Sequence, residues 1–218
     1  MLHFALQCKV TVVIELRDAL SQISEIRSQM AQTQTFRGYR AAPAALSSLV
    51  AIGTALVQRW WVPQPARDLS SYLVLWIGAA AISVALFAAE MTFRLTRHGL
   101  TLQRQMTLLA IEQFIPCLVA GAMLTAVMVR FAPEQAWMLC GLWPMLFSLG
   151  VFASRRLLPP AIFWVGVFYM LTGTANLALA RDKAQFSPWA MGVAFGAGQA
   201  LVAAILYWKL ERRNGSQK

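Results

Sequence analysis

The residues predict an all-α integral membrane protein, with six transmembrane helices in three consecutive hairpins preceded by a cytoplasmic amphipathic helix. Three observations lead there. Of 218 residues, 58% are hydrophobic and only 13% charged, with mean hydropathy +0.56, against roughly 25% charged in an ordinary soluble domain. Most charges stand in short clusters, leaving long stretches nearly free of ionised groups. Six of those stretches approach the length of about 20 residues at which an apolar helix crosses the hydrocarbon. A water-soluble globule of this composition would have nowhere to put its apolar surface.

In chain order, residues 1–40 form a cytoplasmic arm. The apolar run 1–13 is short, contains Lys9, and is followed by Glu15, Arg17 and Asp18 without a small-residue cleavage site. No cleavable signal peptide is therefore expected, and the internal spans should drive insertion. Residues 14–35, IELRDALSQISEIRSQMAQTQT, place Leu16, Leu20, Ile23 and Met30 on a 3.5-residue spacing with Ile26 alongside and Arg27 interrupting. One face is apolar and the rest charged or amide. Such a helix suits the membrane surface or the underside of the bundle, a contact between copies, or a partner helix.

The six spans are expected at 42–57, 71–93, 106–130, 135–153, 160–180 and 188–209, within a transmembrane domain of residues 41–210. The first is the shortest. Pro43, Pro63, Pro65, Pro133, Pro159, Pro160 and Pro188 sit at or beyond span edges, where a missing N–H is harmless, whereas Pro116 and Pro144 lie inside spans and should bend them. A basic tail, 211–218, follows.

Orientation comes from the basic residues. Fourteen of the 19 Lys and Arg fall on the side shared by the arm, the loop after span two, Arg155 and Arg156, and the tail. The other side holds Arg59, Arg67, Arg130, Arg181 and Lys183. The positive-inside rule then places both termini on the cytoplasmic side of the membrane, where the basic face meets anionic lipid. Trp60, Trp61, Trp137 and Trp189 mark the opposite interface and Trp208 the cytoplasmic one. The net charge of +10 is explained by this membrane asymmetry, and no direct nucleic-acid binding is expected.

The succession EIRSQMAQTQTFRGYRAAP, a short first span, then FIPCLVAGAMLTAVMVRFAPEQAWMLCGLWPMLFSLGVFASRRLLP and the closing GVAFGAGQALVAAILYWKLERR resembles a bacterial family of small six-span membrane proteins. The likeness covers nearly the whole chain after about residue 20. It implies the six-span topology and, for some members, a gene position beside a winged-helix transcriptional regulator. The family has no assigned activity, so the resemblance transfers no catalytic or binding residue.

Ionisable groups inside a membrane are functional candidates by default. Glu90 lies about one turn from the cytoplasmic end of span two and Glu112 about a turn and a half inside span three, with Arg94 at i+4 from Glu90. These groups suit a charge cluster that fixes a hairpin near the headgroups, a proton or cation site, or a contact to a partner or lipid headgroup. Gln113, Asn176 and Gln199 are the remaining strongly polar span residues. Amides commonly bridge membrane helices, although residues at graded depths would also suit a polar pathway. Gly192, Gly196 and Gly198 in span six, and Ala81, Ala85 and Ala89 in span two, allow close helix approach, either within the bundle or in a homo-oligomer.

Absences narrow the chemistry. Cys8, Cys117 and Cys140 form neither a disulfide framework nor a CxxC pair, and His3 and His98 both lie outside the spans. Intramembrane histidine-ligated metal and bis-histidine haem lack ligands. No GxSxG, HExxH or Walker motif is present, so no cofactor and no hydrolase or redox activity is expected. The residues suit a non-enzymatic membrane component, regulatory, sensory or accessory to a larger assembly. A small transporter or channel using Glu90, Glu112, Asn176 and Gln199 is the second expectation, and a lipid-acting enzyme the third.

Overall fold

The computed structural model describes residues 41–98, 101–157, 159–179 and 186–208, all belonging to one compact unit, Phe36–Lys218. The arm 1–40 with its amphipathic segment 14–35, and the tail 211–218, lie outside the described residues. Those described form helices α1 (Ala41–Trp61), α2 (Leu69–His98), α3 (Thr101–Phe131), α4 (Leu139–Ala153), α5 (Ile162–Leu179) and α6 (Pro188–Leu206), with 3-10 turns at Pro133–Met138 and Ser154–Leu157. No strand occurs among them. Six segments are long and apolar enough to cross a membrane: Ala41–Trp61, Leu69–Phe93, Glu112–Phe131, Pro133–Ala153, Ile162–Leu179 and Pro188–Leu206. In hydrocarbon a spanning segment must satisfy its own backbone, which the helix does internally.

The helix ends follow from local chemistry. The α1 ladder closes with Val62 N–H donating to the Gln58 carbonyl at 2.9 Å, and Pro63 and Pro65 prevent continuation. Asp68 starts α2, its Oδ1 accepting from Ser71 N–H at 3.2 Å and from the Ser70 hydroxyl at 3.0 Å. Pro133 opens the 3-10 turn before α4, and Pro188 opens α6, positions where proline removes only a donor that would be unpaired anyway. Helices α3 and α4 continue through Pro116 and Pro144.

The first span, expected to be the shortest, has 21 residues and is among the most buried. Its most extensive packing is with α6; α4 packs closely on α5, with lesser contacts joining α1 to α2, α3 to α4 and α5 to α6. The buried face of α1 carries Ala44, Ser47, Ser48, Ala51, Thr54, Ala55 and Gln58, while Leu46, Leu49, Leu56 and Val57 point outward. This is the reverse of a soluble helix. Lipid is as apolar as leucine, so small residues that permit close packing go inside and large ones face out.

Two clusters fill the interior. One gathers Ala55, Val62, Tyr72, Trp76, Met128, Leu139, Cys140, Phe186 and Met191, where the last turns of α1 and α3 meet the first turns of α2, α4 and α6. Phe186 packs its ring edge-to-face on Tyr72, centroids 4.9 Å apart. The other cluster holds Val151, Ile162, Val165 and Tyr169 with Phe114, Phe147 and Phe195 around them. Phe147 is its hub, 5.0 Å from Phe114, 4.8 Å from Tyr169 and 5.7 Å from Phe195 between centroids.

Candidate functional site

Several polar side chains of the bundle converge at the first cluster. Gln58 is fully buried one turn before the end of α1. Its Nε2 donates to the Phe186 carbonyl at 2.8 Å, and its Oε1 accepts from the Trp76 indole N–H at 2.8 Å. These two partners fix the amide's orientation, because an indole N–H can only donate and a carbonyl can only accept. Phe186 has φ 57°, a left-handed conformation uncommon for a residue with a side chain. Gln58 on its carbonyl and Tyr72 against its ring hold it there.

Beside this triad the Tyr72 hydroxyl lies 3.0 Å from Cys140 Sγ. From α5, the Asn176 side-chain N–H groups donate to the Cys140 carbonyl at 3.2 Å and the Ala190 carbonyl at 2.9 Å. One amide thus ties the first turn of α4 to the first turn of α6. Serines make further ties: Ser48 Oγ donates to the Gly196 carbonyl at 2.7 Å and Ser148 Oγ to the Gly166 carbonyl at 2.9 Å. On the α3–α4 side, Trp143 donates to Thr125 Oγ1 at 2.9 Å. In a medium that offers no water, each such bond satisfies a group that would otherwise be costly.

The residues singled out by sequence lie in several places. Glu90 is half-buried on α2, and Arg94 lies one turn further on, its side chain outside the described set. Glu112 is exposed on α3, and Gln113 beside it is half-buried with a buried Oε1 that has no hydrogen-bond partner. Helices α2 and α3 are not among the extensively packed pairs, so direct helix packing does not press Glu90 and Glu112 together. Asn176 belongs to the polar cluster just described. Gln199 is half-buried on α6, next to the Tyr169 hydroxyl, which is buried without a hydrogen bond of sound geometry.

The glycines of α6 occupy two contacts. A Cβ placed on Gly192 would stand 2.6 Å from Ala55 Cβ, and one on Gly196 would stand 2.8 Å from Ile52 Cγ1, so both face α1. Gly198 faces the Tyr169 ring of α5, which a Cβ there would overlap. Ala81, Ala85 and Ala89 are exposed on α2.

Sequence reasoning missed Gln58, Trp76 and Tyr72. Gln58 stands one residue past the expected end of span one, and Trp76 reads as one more apolar residue within span two. The usable signal was the continuation of helix-compatible residues to Trp61, which carries Gln58 into the membrane-facing bundle. Comparison with family models, with curated proteins and with solved structures finds no match.

Proposed function

We propose that the chain is a non-enzymatic multi-pass protein of the bacterial inner membrane, a regulatory or sensory protein or an accessory subunit of a larger assembly. In this reading its spans form three consecutive hairpins, both termini are cytoplasmic, and the basic face meets anionic lipid. The observation that carries it is unequal packing. Beyond Ala79 no described residue of α2 is fully buried, and before Thr125 none of α3 is. Ala81, Ala85 and Ala89 sit on this open part of α2, and Glu112 and Met123 on that of α3. Helices associate in lipid through small residues that let backbones approach, so this surface suits a second copy or another membrane chain. The interior groups of Ser48, Gln58, Ser148 and Asn176, by contrast, are engaged in holding the bundle together.

The test is a cysteine at Ala85 or Met123, treated with a short bifunctional thiol reagent in native membranes. A cross-linked homodimer or a cross-linked second polypeptide is expected. A protein that stays uncross-linked and monomeric in native membranes, and that loses no interaction when residues 14–35 are deleted, refutes the reading.

A transporter or channel using Glu90, Glu112, Asn176 and Gln199 is the second reading. It is supported by the unpaired buried Gln113 Oε1 and Tyr169 hydroxyl, since orphaned polar atoms suit a path for a polar solute. Solute flux in proteoliposomes that falls in the Glu90→Gln, Glu112→Gln double variant would favour it over the first.

A further inference from the structure

Beside the Gln58 triad a cleft of about 340 Å³ opens at the end of the bundle where α1 finishes and α6 begins. That volume lies near the lower end of ligand sites, roughly 300 to 1,000 Å³. Gln58, Arg59, Val62, Pro63, Ser187 and Trp189 contribute to its lining. We propose that this cleft binds a phosphate group, carried by a lipid or free in solution, with Arg59 as the charged contact.

The polarity of the lining selects an anion. Gln58 is fully buried yet lines the cleft, so it belongs to the floor. Its only acceptor atom is engaged by Trp76, and Nε2 gives one of its two hydrogens to the Phe186 carbonyl. What Gln58 has left to offer is one Nε2 hydrogen and the second lone pair of Oε1, so it does not by itself choose an anion. Arg59 and the Trp189 indole are donors without acceptors, and neither is hydrogen-bonded among the described residues. The Ser187 hydroxyl, at the start of α6, makes no capping bond to its own helix and stays available. Among the described residues no carboxylate lines the cleft. A donor-rich, positively charged pocket accepts an oxyanion and rejects a cation. The remaining wall is Val62, two prolines before α2, Pro188, Phe186 and Trp189. That apolar surface suits the glycerol and first methylenes of a lipid.

The experiment uses the full chain in detergent, titrated calorimetrically with inorganic phosphate in one arm and with a short-chain phosphatidylglycerol, below its micelle concentration, in the other. Saturable one-to-one binding is expected in at least one arm: binding of the lipid alone identifies a headgroup site, and binding of inorganic phosphate identifies a site for the free anion. Arg59→Gln should weaken binding about tenfold or more, the expected loss of a charge-assisted hydrogen bond. Arg130→Gln, which removes an exposed cation one half-turn past Met128 of the same cluster, should leave it unchanged. Trp189→Phe keeps the ring and removes the indole N–H, and should weaken binding less than Arg59→Gln. Both cleft variants alter exposed side chains, so the fold remains intact for the measurement. Absence of saturable binding in both arms, or equal weakening by Arg59→Gln and Arg130→Gln, overturns the proposal.

Discussion

Replacing Gly192 by alanine tests the closest approach of α1 and α6. The added Cβ would stand 2.6 Å from Ala55 Cβ, whereas carbon atoms pack at about 3.5–4.0 Å. The two helices must part by about 1 Å, and the obstructing atom is a methyl fixed to its own backbone, with no rotamer to turn away. Overpacking of this kind costs about 1–3 kcal/mol. Gly→Ala also favours any helix by about 1 kcal/mol, which partly hides the clash. Gly53→Ala reads that gain by itself, because nothing lies within 4 Å of its Cβ position. The informative quantity is therefore the difference between the two variants, expected at about 1–3 kcal/mol in favour of Gly53→Ala. Reversible unfolding in mixed detergent and dodecyl sulfate micelles measures it. Ala55→Gly should recover most of the loss in the Gly192→Ala background, a coupling energy characteristic of residues in contact. Equal stability of Gly192→Ala and Gly53→Ala, or failure of Ala55→Gly to rescue, would refute the packing argument.

Other expectations follow from the polar cluster and the loop. Gln58→Leu strands the Trp76 indole N–H and the Phe186 carbonyl in the core; each unpaired group should cost about 1–3 kcal/mol, and the same micellar unfolding should show a smaller loss when Trp76→Phe is added, since one orphan is then removed. Asn176→Ala deletes the ties from α5 to α4 and α6 and should destabilise by roughly 1–2 kcal/mol, read as a lowered unfolding midpoint; an unchanged midpoint would show that the two bonds add nothing net. Hydrogen bonds from Ser71 and Ser70 hold the exposed Asp68 carboxyl below its ordinary value of 3.8. A lowered folded pKa means that the charged cap helps the fold above the unfolded value and ceases to help as pH falls through the folded one; carboxyl NMR should place its midpoint below 3.8, and Asp68→Ala should destabilise at neutral pH but lose its effect in strong acid.

Six apolar stretches, their approximate limits and the helical class were legible in the residues because hydrocarbon leaves an isolated span one choice. A segment with no water to satisfy its backbone becomes a helix, and its length is set by the bilayer. Proline placement around 63–65, 133, 159–160 and 188 was legible for the same local reason, a missing donor. The importance of α1 was not. Its serines, threonine and glutamine lower its hydropathy, so it read as a marginal span, and only its contact with α6 shows those groups buried and bonded.

What composition could not encode is facing and neighbourhood. These helices are apolar nearly all round, so no strong amphipathic stripe announces which side meets another helix. Glu90 and Glu112 stood out because charge is rare in a span, yet Glu112 is exposed on α3. Gln58, Trp76 and Phe186 drew no attention singly and Asn176 was singled out only as a polar span residue, and they meet because α1, α2, α5 and α6 converge at one end. The sequence by itself determined that the chain forms six helices long and apolar enough to cross a membrane, since that depends on local transfer free energy. The tertiary structure decided which polar atoms find one another, since a hydrogen bond depends on distances between residues far apart in the chain.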